Sequence, residues 1–310
     1  MKPPASRLST TQPVTWRAGL ASLGVSLLWS GNIVSIKIGL ATIPPFWSAF
    51  WRMLIAVAAV AAWARLTGRP VFFERRDLRR MLGLGVMFTA QIAVFNVAVH
   101  YTSPAYAVVL LNTCPVMINL ISHFFVEDDR LTTGRLLGLG VAFGGIAYVM
   151  LGQPSAALAP NAVLGNFLML VSALLLAVRV IYTQHLVQGM DALRPVIWQM
   201  VFSLPAFLAL GAWFESPLHQ PLGREAVVAM LYQAVVVAGF CFVAWTMLLQ
   251  RYSAGNLSVY SFSVPFFGIL LSALFFGEAV SWRLLGGALA VSVGIALVMR
   301  SKRLRSGNAG

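Results

Sequence analysis

Long runs of mainly apolar residues recur along this chain and leave few folds open to it. Two clear examples extend from Ala105 to Val126 and from Leu257 to Phe276. A helix rises about 1.5 Å per residue, so about 20 apolar residues cross a hydrocarbon core about 30 Å thick. The runs therefore predict helices that span a lipid bilayer.

The overall composition agrees with a bilayer as the solvent. Of 310 residues, 59% are hydrophobic and only 10% are charged, with a mean hydropathy of +0.82. Soluble domains carry roughly 25% charged residues. Transmembrane barrels are built from short strands in which apolar and polar residues alternate, and continuous apolar runs do not fit that pattern. The predicted fold class is therefore an all-α membrane protein.

Apolar runs and helix breakers together predict ten transmembrane helices, near 18–40, 44–65, 80–101, 105–126, 132–151, 162–186, 194–214, 225–250, 256–276 and 281–300. The loops between these intervals are short, so no soluble domain is expected. We expect a cytoplasmic lead over 1–17, five-helix halves over 18–151 and 162–300, an outer linker over 152–161 and a basic cytoplasmic tail over 301–310.

The distribution of basic residues predicts the orientation of the chain. Seventeen of the 22 Lys and Arg residues fall on the side that holds both termini. Only Arg224 and Arg283 fall on the other side, and Lys37, Arg52 and Arg179 lie within predicted spans. Because Lys and Arg accumulate in cytoplasmic loops, both termini are expected in the cytoplasm of a multi-pass protein of the cytoplasmic (inner) membrane. The net charge of +13 is spread over loops, so it does not indicate a nucleic-acid partner.

The two halves share a sequence pattern about 150 residues apart. The first copy contains Tyr101-Thr-Ser, Pro115, Phe124-Phe125, Glu127 and Arg135-Leu-Leu-Gly138, and the second contains Tyr252-Ser-Ala, Pro265, Phe275-Phe276, Glu278 and Arg283-Leu-Leu-Gly286. A repeat of five spans enters the membrane from opposite sides in its two copies. The sequence therefore predicts two inverted five-helix repeats, an arrangement typical of secondary transporters with a site between the halves.

The chain also resembles the drug/metabolite transporter superfamily, in its ten-span EamA type. The residues that carry the resemblance are Trp29-Ser-Gly31-Asn32, Lys37, Pro45, Arg52, Tyr101, Pro115 and Glu127 in the first half, and Tyr252, Pro265, Glu278 and Gly286 in the second. The resemblance covers about 18–300 and implies export of amino acids, other metabolites or drugs through a central cavity.

Charged residues at depth in the membrane are candidates for function, because each costs about 2.5–3.5 kcal/mol on insertion scales. All nine acidic residues lie in predicted loops or at span ends. This pattern argues against a proton-coupled exporter of organic cations, which needs a carboxylate at depth. Arg52 near mid-membrane either binds a substrate carboxylate or holds helix ends together, and both interpretations stay open.

The candidate substrate-binding residues combine cations, amides and deep aromatic side chains that face inward or lie at depth. They are Arg52, Trp29, Asn32, Trp51, Asn96, Asn112, Asn119, Arg179, Trp245 and Tyr260. The amides either line a cavity or join helices, and the aromatics either stack on substrate or pack the core. Pro115 and Pro265 are expected to kink equivalent spans.

These features favour alternating-access transport, in the export direction, of a small amphipathic metabolite such as an amino acid. A broad-specificity drug exporter is the alternative. An intramembrane enzyme or a lipid-organising protein fits less well, since no HExxH or HxxxH pattern and no embedded acid is present. We expect no catalytic residue, metal or cofactor. The expected partners are a small-molecule substrate and the lipid bilayer, with the protein a monomer or homodimer.

Overall fold

The computed structural model of the protein describes residues 14–125, 133–152, 154, 156–187, 190–218, 221–252, 257, 260 and 263–307. These segments are helical, with no strand among them. The α-helices are α1 (Trp16–Leu40), α2 (Pro45–Leu66), α3 (Leu78–Tyr101), α4 (Pro104–Leu111), α5 (Cys114–Phe125), α6 (Thr133–Met150), α7 (Ala162–Leu186), α8 (Leu193–Phe214), α9 (Arg224–Leu231), α10 (Phe242–Arg251), α11 (Val264–Phe276) and α12 (Trp282–Gly307). A 3₁₀ turn (Arg75–Asp77) precedes α3, and a π-helical segment (Tyr232–Cys241) joins α9 to α10.

The protein is a multi-pass, all-helical membrane protein. Six helices in the described part of the chain are long and apolar enough to cross a membrane: Trp16–Leu40, Pro45–Leu66, Arg75–Tyr101, Ala162–Leu186, Leu193–Phe214 and Arg224–Arg251. Four shorter apolar helices are Pro104–Ile118, Leu136–Met150, Val264–Phe276 and Trp282–Leu297. Each predicted interval coincides with one of these helices, and ten complete crossings stay a prediction.

The interval predicted as one helix near 105–126, which includes the apolar stretch Pro104–Ile118, is interrupted by a turn and forms two helices. α4 ends at Leu111 and α5 begins at Cys114, with Asn112 and Thr113 forming a turn between them. Pro115 is the second residue of α5, and Pro265 is likewise the second residue of α11. The structure therefore places both prolines in the first turn of a helix, where proline is tolerated because its missing N–H would have no helical partner. At Pro115 the kink predicted within a continuous span is replaced by a helix start, whereas at Pro265, before which residues 258–259 and 261–262 lie outside the described segments, the kink stays a prediction.

Glycines allow α6 and α12 to pack closely against each other. A Cβ atom on Gly145 would lie 2.8 Å from the Cβ of Ala290, and one on Gly294 would lie 2.6 Å from the carbonyl oxygen of Gly138. Only hydrogen fits at these two positions. Small residues allow such close backbone approach in membranes, where packing rather than water drives association.

The other helices pack in a regular order. α2 packs on α8, α4 on α11, and α3 on both α7 and α8. α1 packs on α11 and on the continuous stretch Arg224–Arg251, which also contacts α2. Because most of these contacts join a helix before residue 152 to one after residue 161, the two parts of the chain interleave in one bundle.

Charged side chains tie the helix ends together at one end of the bundle, which we call the distal end because it lies away from Trp16. Lys37 Nζ donates to the carbonyl oxygens of Val99, His100 and Thr102, each at 2.9 Å, at the C-terminal end of α3. A negatively charged side chain binds the N-terminus of a helix in the same region. The Glu215 carboxylate accepts from the backbone N–H groups of Phe46 and Trp47 at 2.9–3.1 Å, in the first turn of α2.

Glu278 is a second such carboxylate and is buried. It accepts hydrogen bonds from Ser103 Oγ, from Ser272 Oγ at 2.6 Å and from the N–H of Ala105 at 3.3 Å. Ser103 is the N-cap residue of α4. A carboxylate at a helix N-terminus satisfies free N–H groups and interacts favourably with the helix dipole. Glu278 therefore fixes the start of α4 from the second half of the chain.

We expect Glu278→Ala to lower the free energy of unfolding by about 2–3 kcal/mol, because hydrogen bonds to a buried charge are lost and the Ser103 and Ser272 hydroxyls lose their acceptor. Thermal unfolding of the purified protein in detergent measures the effect. Glu225→Ala is the matched control, since Glu225 is an exposed glutamate at the start of α9. Equal unfolding temperatures for the two variants would contradict the role given to Glu278.

Candidate functional site

A cavity of about 210 Å³ lies in the middle of the bundle. Its walls come from α1, α3, α4, α5, α7, α8, α10 and α11, so both parts of the chain contribute. The lining residues are Trp29, Asn32, Ile33, Gln91, Ile92, Phe95, Val108, Leu111, Asn112, Cys114, Pro115, Ile118, Leu176, Arg179, Val180, Thr183, Gln199, Phe242, Trp245, Thr246, Leu249 and Val264. The walls are mostly apolar, with a few polar groups, as small-molecule sites usually are.

The helix break between α4 and α5 contributes directly to this cavity. The break leaves helix ends without their usual backbone partners, and non-helical backbone at membrane depth is tolerated where protein or a cavity surrounds it. Thr113 Oγ1 donates to the carbonyl oxygen of Leu110 at 2.7 Å, which satisfies part of the end of α4. Asn112 in the turn and Pro115 just beyond it both line the cavity.

Arg179 brings the only positive charge among the described residues that line this cavity. Its Nη1 donates to Gln199 Oε1 at 3.1 Å, and its guanidinium carbon lies 5.1 Å from the Phe88 ring centre and 5.8 Å from that of Phe242. Its Nε is buried and has no hydrogen-bond partner. The ion pairs of the described residues are Arg69–Asp191, Arg76–Glu74 and Arg80–Asp77, so none of them provides Arg179 with a carboxylate.

Aromatic rings form the wall beside this charge. The rings of Trp29 and Trp245 meet edge to face with centres 5.1 Å apart, and Phe242 lies 6.4 Å from Trp29 in the same geometry. These rings present an apolar surface suited to the body of an amphipathic ligand. An unpaired guanidinium next to an aromatic wall is arranged to bind a molecule with an anionic group and an apolar part.

Buried amides add hydrogen-bonding groups to the cavity. Asn32 Oδ1, Gln91 Oε1 and Asn112 Nδ2 are buried without a partner. Sequence reasoning selected Asn32 and Asn112 but missed Gln91 and Gln199. Both missed residues are uncharged and lie in long apolar spans, and the search for charges at depth passes over such residues.

The structure separates Arg52 and Asn96 from the cavity, since neither residue lines it. Arg52 is 2% exposed, and its Nη2 donates to Asn96 Oδ1 at 3.2 Å. Asn96 Nδ2 in turn donates to the carbonyl oxygen of Pro45 at 2.9 Å. This chain of bonds joins α3 to the first turn of α2.

The remaining candidates lie elsewhere. Trp51 is 43% exposed on α2 and packs its ring against Phe50, with centres 5.3 Å apart. Tyr260 does not line the cavity, and its hydroxyl lies against Gly19 of α1. The side chain of Asn119 lies outside the described residues. Within the described segments, no group of three His, Cys, Asp or Glu residues is placed to hold a metal ion.

Known proteins are similar to this chain along nearly its whole length. The model of the EamA-like transporter family matches residues 16–151 and, again, 163–300. A protein of Salmonella typhimurium named a probable amino-acid metabolite efflux pump is 26% identical, over 93% of this chain and 96% of its own. The uncharacterized transporter YoaV of Bacillus subtilis is 21% identical, over 89% and 94%. One crystal structure of a protein has the same fold, with a TM-score of 0.68 and 22% identity over 93% of this chain and 98% of its own.

The two buried arginines are expected to respond differently to the same substitution. Arg52→Met leaves Asn96 Oδ1 without its donor, so we expect a loss of about 1–3 kcal/mol of stability. Arg179→Met likewise leaves Gln199 Oε1 without its donor, but both residues line the cavity, where a water molecule can replace the guanidinium. Its loss of stability, measured as thermal unfolding in detergent, is therefore expected to be smaller than that of Arg52→Met. A larger loss for Arg179→Met than for Arg52→Met would reverse this assignment.

Proposed function

Because the chain belongs to the EamA-like transporter family, we propose that it is a secondary transporter that exports a small amphipathic, amino-acid-like metabolite across the cytoplasmic membrane by alternating access. The observation that carries the proposal is the buried Arg179 guanidinium, which faces the central cavity without a carboxylate among the lining residues. The Salmonella relative's name, a probable amino-acid metabolite efflux pump, supports the substrate class and the direction.

Electrostatics explain why Arg179 fits an anionic group of the substrate. A buried charge without a paired opposite charge costs several kcal/mol in a low-dielectric environment. A substrate carboxylate recovers much of this cost, since arginine binds carboxylates through two parallel hydrogen bonds. The rings of Trp29, Phe242 and Trp245 then contact the apolar part of the substrate.

The cavity lining disfavours the alternative of an exporter for cationic drugs. A lipophilic cation needs a carboxylate or a cluster of acceptors to offset its charge. The described residues that line the cavity include no carboxylate and one cation, Arg179. A cationic ligand therefore meets charge of its own sign.

The order of helix packing supports two inverted five-helix repeats. If α1 corresponds to α7, α2 to α8, α3 to Arg224–Arg251, α4 with α5 to α11, and α6 to α12, the contacts form matching pairs. The contact between α3 and α7 corresponds to that between Arg224–Arg251 and α1, and the contact of α7 with α4 and α5 corresponds to that of α1 with α11. The contacts α2–α8, α4–α11 and α6–α12 join equivalent helices. Contacts that pair in this way are related by a two-fold axis. Because each half has five spans, an odd number, the two halves then have opposite orientations in the membrane.

Alternating access follows from two halves that enclose one cavity. At the distal end, Glu215 and Glu278 of the second half bind the N-termini of α2 and α4 in the first half. At the other end, Arg69 and Asp191 form a 3.1 Å ion pair between the halves. Opening either end requires the bonds at that end to break while the bonds at the opposite end persist.

Transport assays of Arg179 variants test this proposal. In proteoliposomes, Arg179→Gln should lower counterflow of amino acids with apolar side chains at least tenfold, because the carboxylate loses its charged partner. Arg179→Lys should retain part of the activity, since it keeps the charge but not the planar fork. Arg251→Gln, at an exposed residue at the end of α10, is the control and should transport normally. Full counterflow by a correctly inserted Arg179→Gln protein would refute the carboxylate-binding role.

Cysteine labelling tests the proposed topology. Cys114 and Cys241 are first replaced by serine, and single cysteines are then introduced at the exposed residues Thr67 and Ala156. A membrane-impermeant maleimide should label Ala156→Cys in intact cells and should label Thr67→Cys only after permeabilisation. Labelling of both residues from the same side would exclude inverted five-span halves.

A further inference from the structure

Two buried amide oxygens at the central cavity have no hydrogen-bond donor among the residues that the structure describes. They are Gln91 Oε1 on α3 and Asn32 Oδ1 on α1, and both residues line the cavity. We propose that Gln91 and Asn32 form a subsite for the ammonium or other N–H group of the substrate, so that the protein selects amino acids over carboxylic acids that lack a donor. The inference rests on the proposed function and adds to it the residues that would bind the amino group of the substrate.

The hydrogen bonds around Gln91 determine which end of its amide is free. Gln91 Nε2 donates to Ser172 Oγ at 3.1 Å, and Ser172 Oγ lies 3.5 Å from the backbone oxygen of Gln91, to which it donates. A serine hydroxyl has one proton, so it accepts from the amide nitrogen rather than donating to the amide oxygen. The side chain is 3% exposed. Gln91 Oε1 is therefore held as an acceptor without a partner.

The subsite lies close enough to Arg179 for one small molecule to reach both. The Arg179 guanidinium lies 5.1 Å from the ring centre of Phe88, which is three residues before Gln91 on α3. Three residues of a helix rise about 4.5 Å and bring side chains to nearly the same face. Both side chains also line the same cavity of about 210 Å³, so the carboxylate and the N–H donor of one amino acid can reach Arg179 and Gln91 together.

Asn32 Oδ1, on α1, adds a second acceptor to the cavity. It lies one helical turn beyond Trp29 on α1, and both side chains line the cavity. A cation close to a tryptophan face is attracted by the π electrons of the ring. An ammonium near Asn32 thus has a carbonyl oxygen and an indole ring as partners, and in an amino acid the carboxylate of the same molecule meets the charge of Arg179.

Selectivity is expected because a ligand without an N–H donor binds with a less favourable free energy. A simple carboxylic acid that fills the cavity leaves both amide oxygens unsatisfied, whereas an amino acid supplies the N–H donors that they lack. Sites built to hydrogen-bond a substrate N–H or O–H reject analogues without that group more strongly than apolar pockets reject a missing methylene. Two neutral acceptors of this kind are expected to produce a preference of about tenfold to a hundredfold.

Matched ligands separate the two ends of the substrate. Leucine, 4-methylpentanoate and 3-methylbutylamine share one apolar chain. Leucine carries a carboxylate and an amine, 4-methylpentanoate carries only the carboxylate, and 3-methylbutylamine carries only the amine. Phenylalanine, 3-phenylpropionate and 2-phenylethylamine form a second series. Binding to the full-length protein in nanodiscs is measured by the change in tryptophan fluorescence, since Trp29 and Trp245 line the cavity. We expect each amino acid to bind at least tenfold more tightly than its deaminated analogue.

Variants of Gln91 test whether this residue is responsible. Gln91→Leu, which has similar volume and no acceptor, should reduce the ratio between amino acid and carboxylic acid about tenfold while leaving affinity for the carboxylic acid unchanged. Gln91→Glu should increase affinity for the amine of each series, a gain that an unfolded protein cannot show. Gln250→Leu is the control, because Gln250 lies outside the cavity and donates to Met190 O at 2.8 Å.

The outcomes distinguish this inference from the proposed function. If the unmodified protein binds amino acid and carboxylic acid equally, or if Gln91→Leu keeps the original ratio, the donor subsite is refuted while the role of Arg179 stands. If no ligand with a carboxylate binds, the proposed function fails and the subsite fails with it.

Discussion

Every charge and every free helix end inside the bilayer must find a partner within the protein, and this requirement organises the whole bundle. Lys37 meets three carbonyl oxygens at the C-terminal end of α3, and Glu278 meets the N-terminus of α4. In both cases the sign of the charge opposes the sign of the helix end. Arg52 acts less directly, through Asn96 and the carbonyl oxygen of Pro45. Arg179 is the exception in position, since it lines the central cavity and donates its hydrogen bond there to the neutral Gln199.

That exception separates a structural charge from one suited to a ligand. A cation that holds a helix end contributes to stability. A cation that faces a cavity can bind an anion that enters it, whereas Arg52, whose Nε is also unbonded, does not line the central cavity. Stabilising a protein and keeping a binding site ready for ligand impose opposite demands on buried polar groups. The larger loss of stability expected for Arg52→Met than for Arg179→Met follows from this difference.

The sequence predicts the positions of the helices far better than it predicts the faces they turn to one another. Apolar runs locate all of the helix-forming intervals because lipid requires length and hydrophobicity. Lipid-facing and buried positions are both apolar, however, so periodicity does not identify the face that carries Gln91. The break at Asn112 and Thr113 was also missed, since an apolar run continues across it. The sequence predicts the depth of Arg52 and Arg179 in the membrane, but depth does not distinguish a cavity wall from a helix interface.

The division of the polar groups between the halves has a mechanical consequence if the donor subsite holds. Arg179 and Gln199 belong to the second half of the chain, whereas Asn32, Gln91 and Asn112 belong to the first. A ligand with only a carboxylate engages one half and gains nothing from bringing the other closer. An amino acid contacts both halves, so its binding free energy favours the conformation in which they approach. A ligand shifts a conformational equilibrium only by its difference in affinity for the two states. The same two groups that define the substrate would therefore also drive the change in access, which links selectivity to transport.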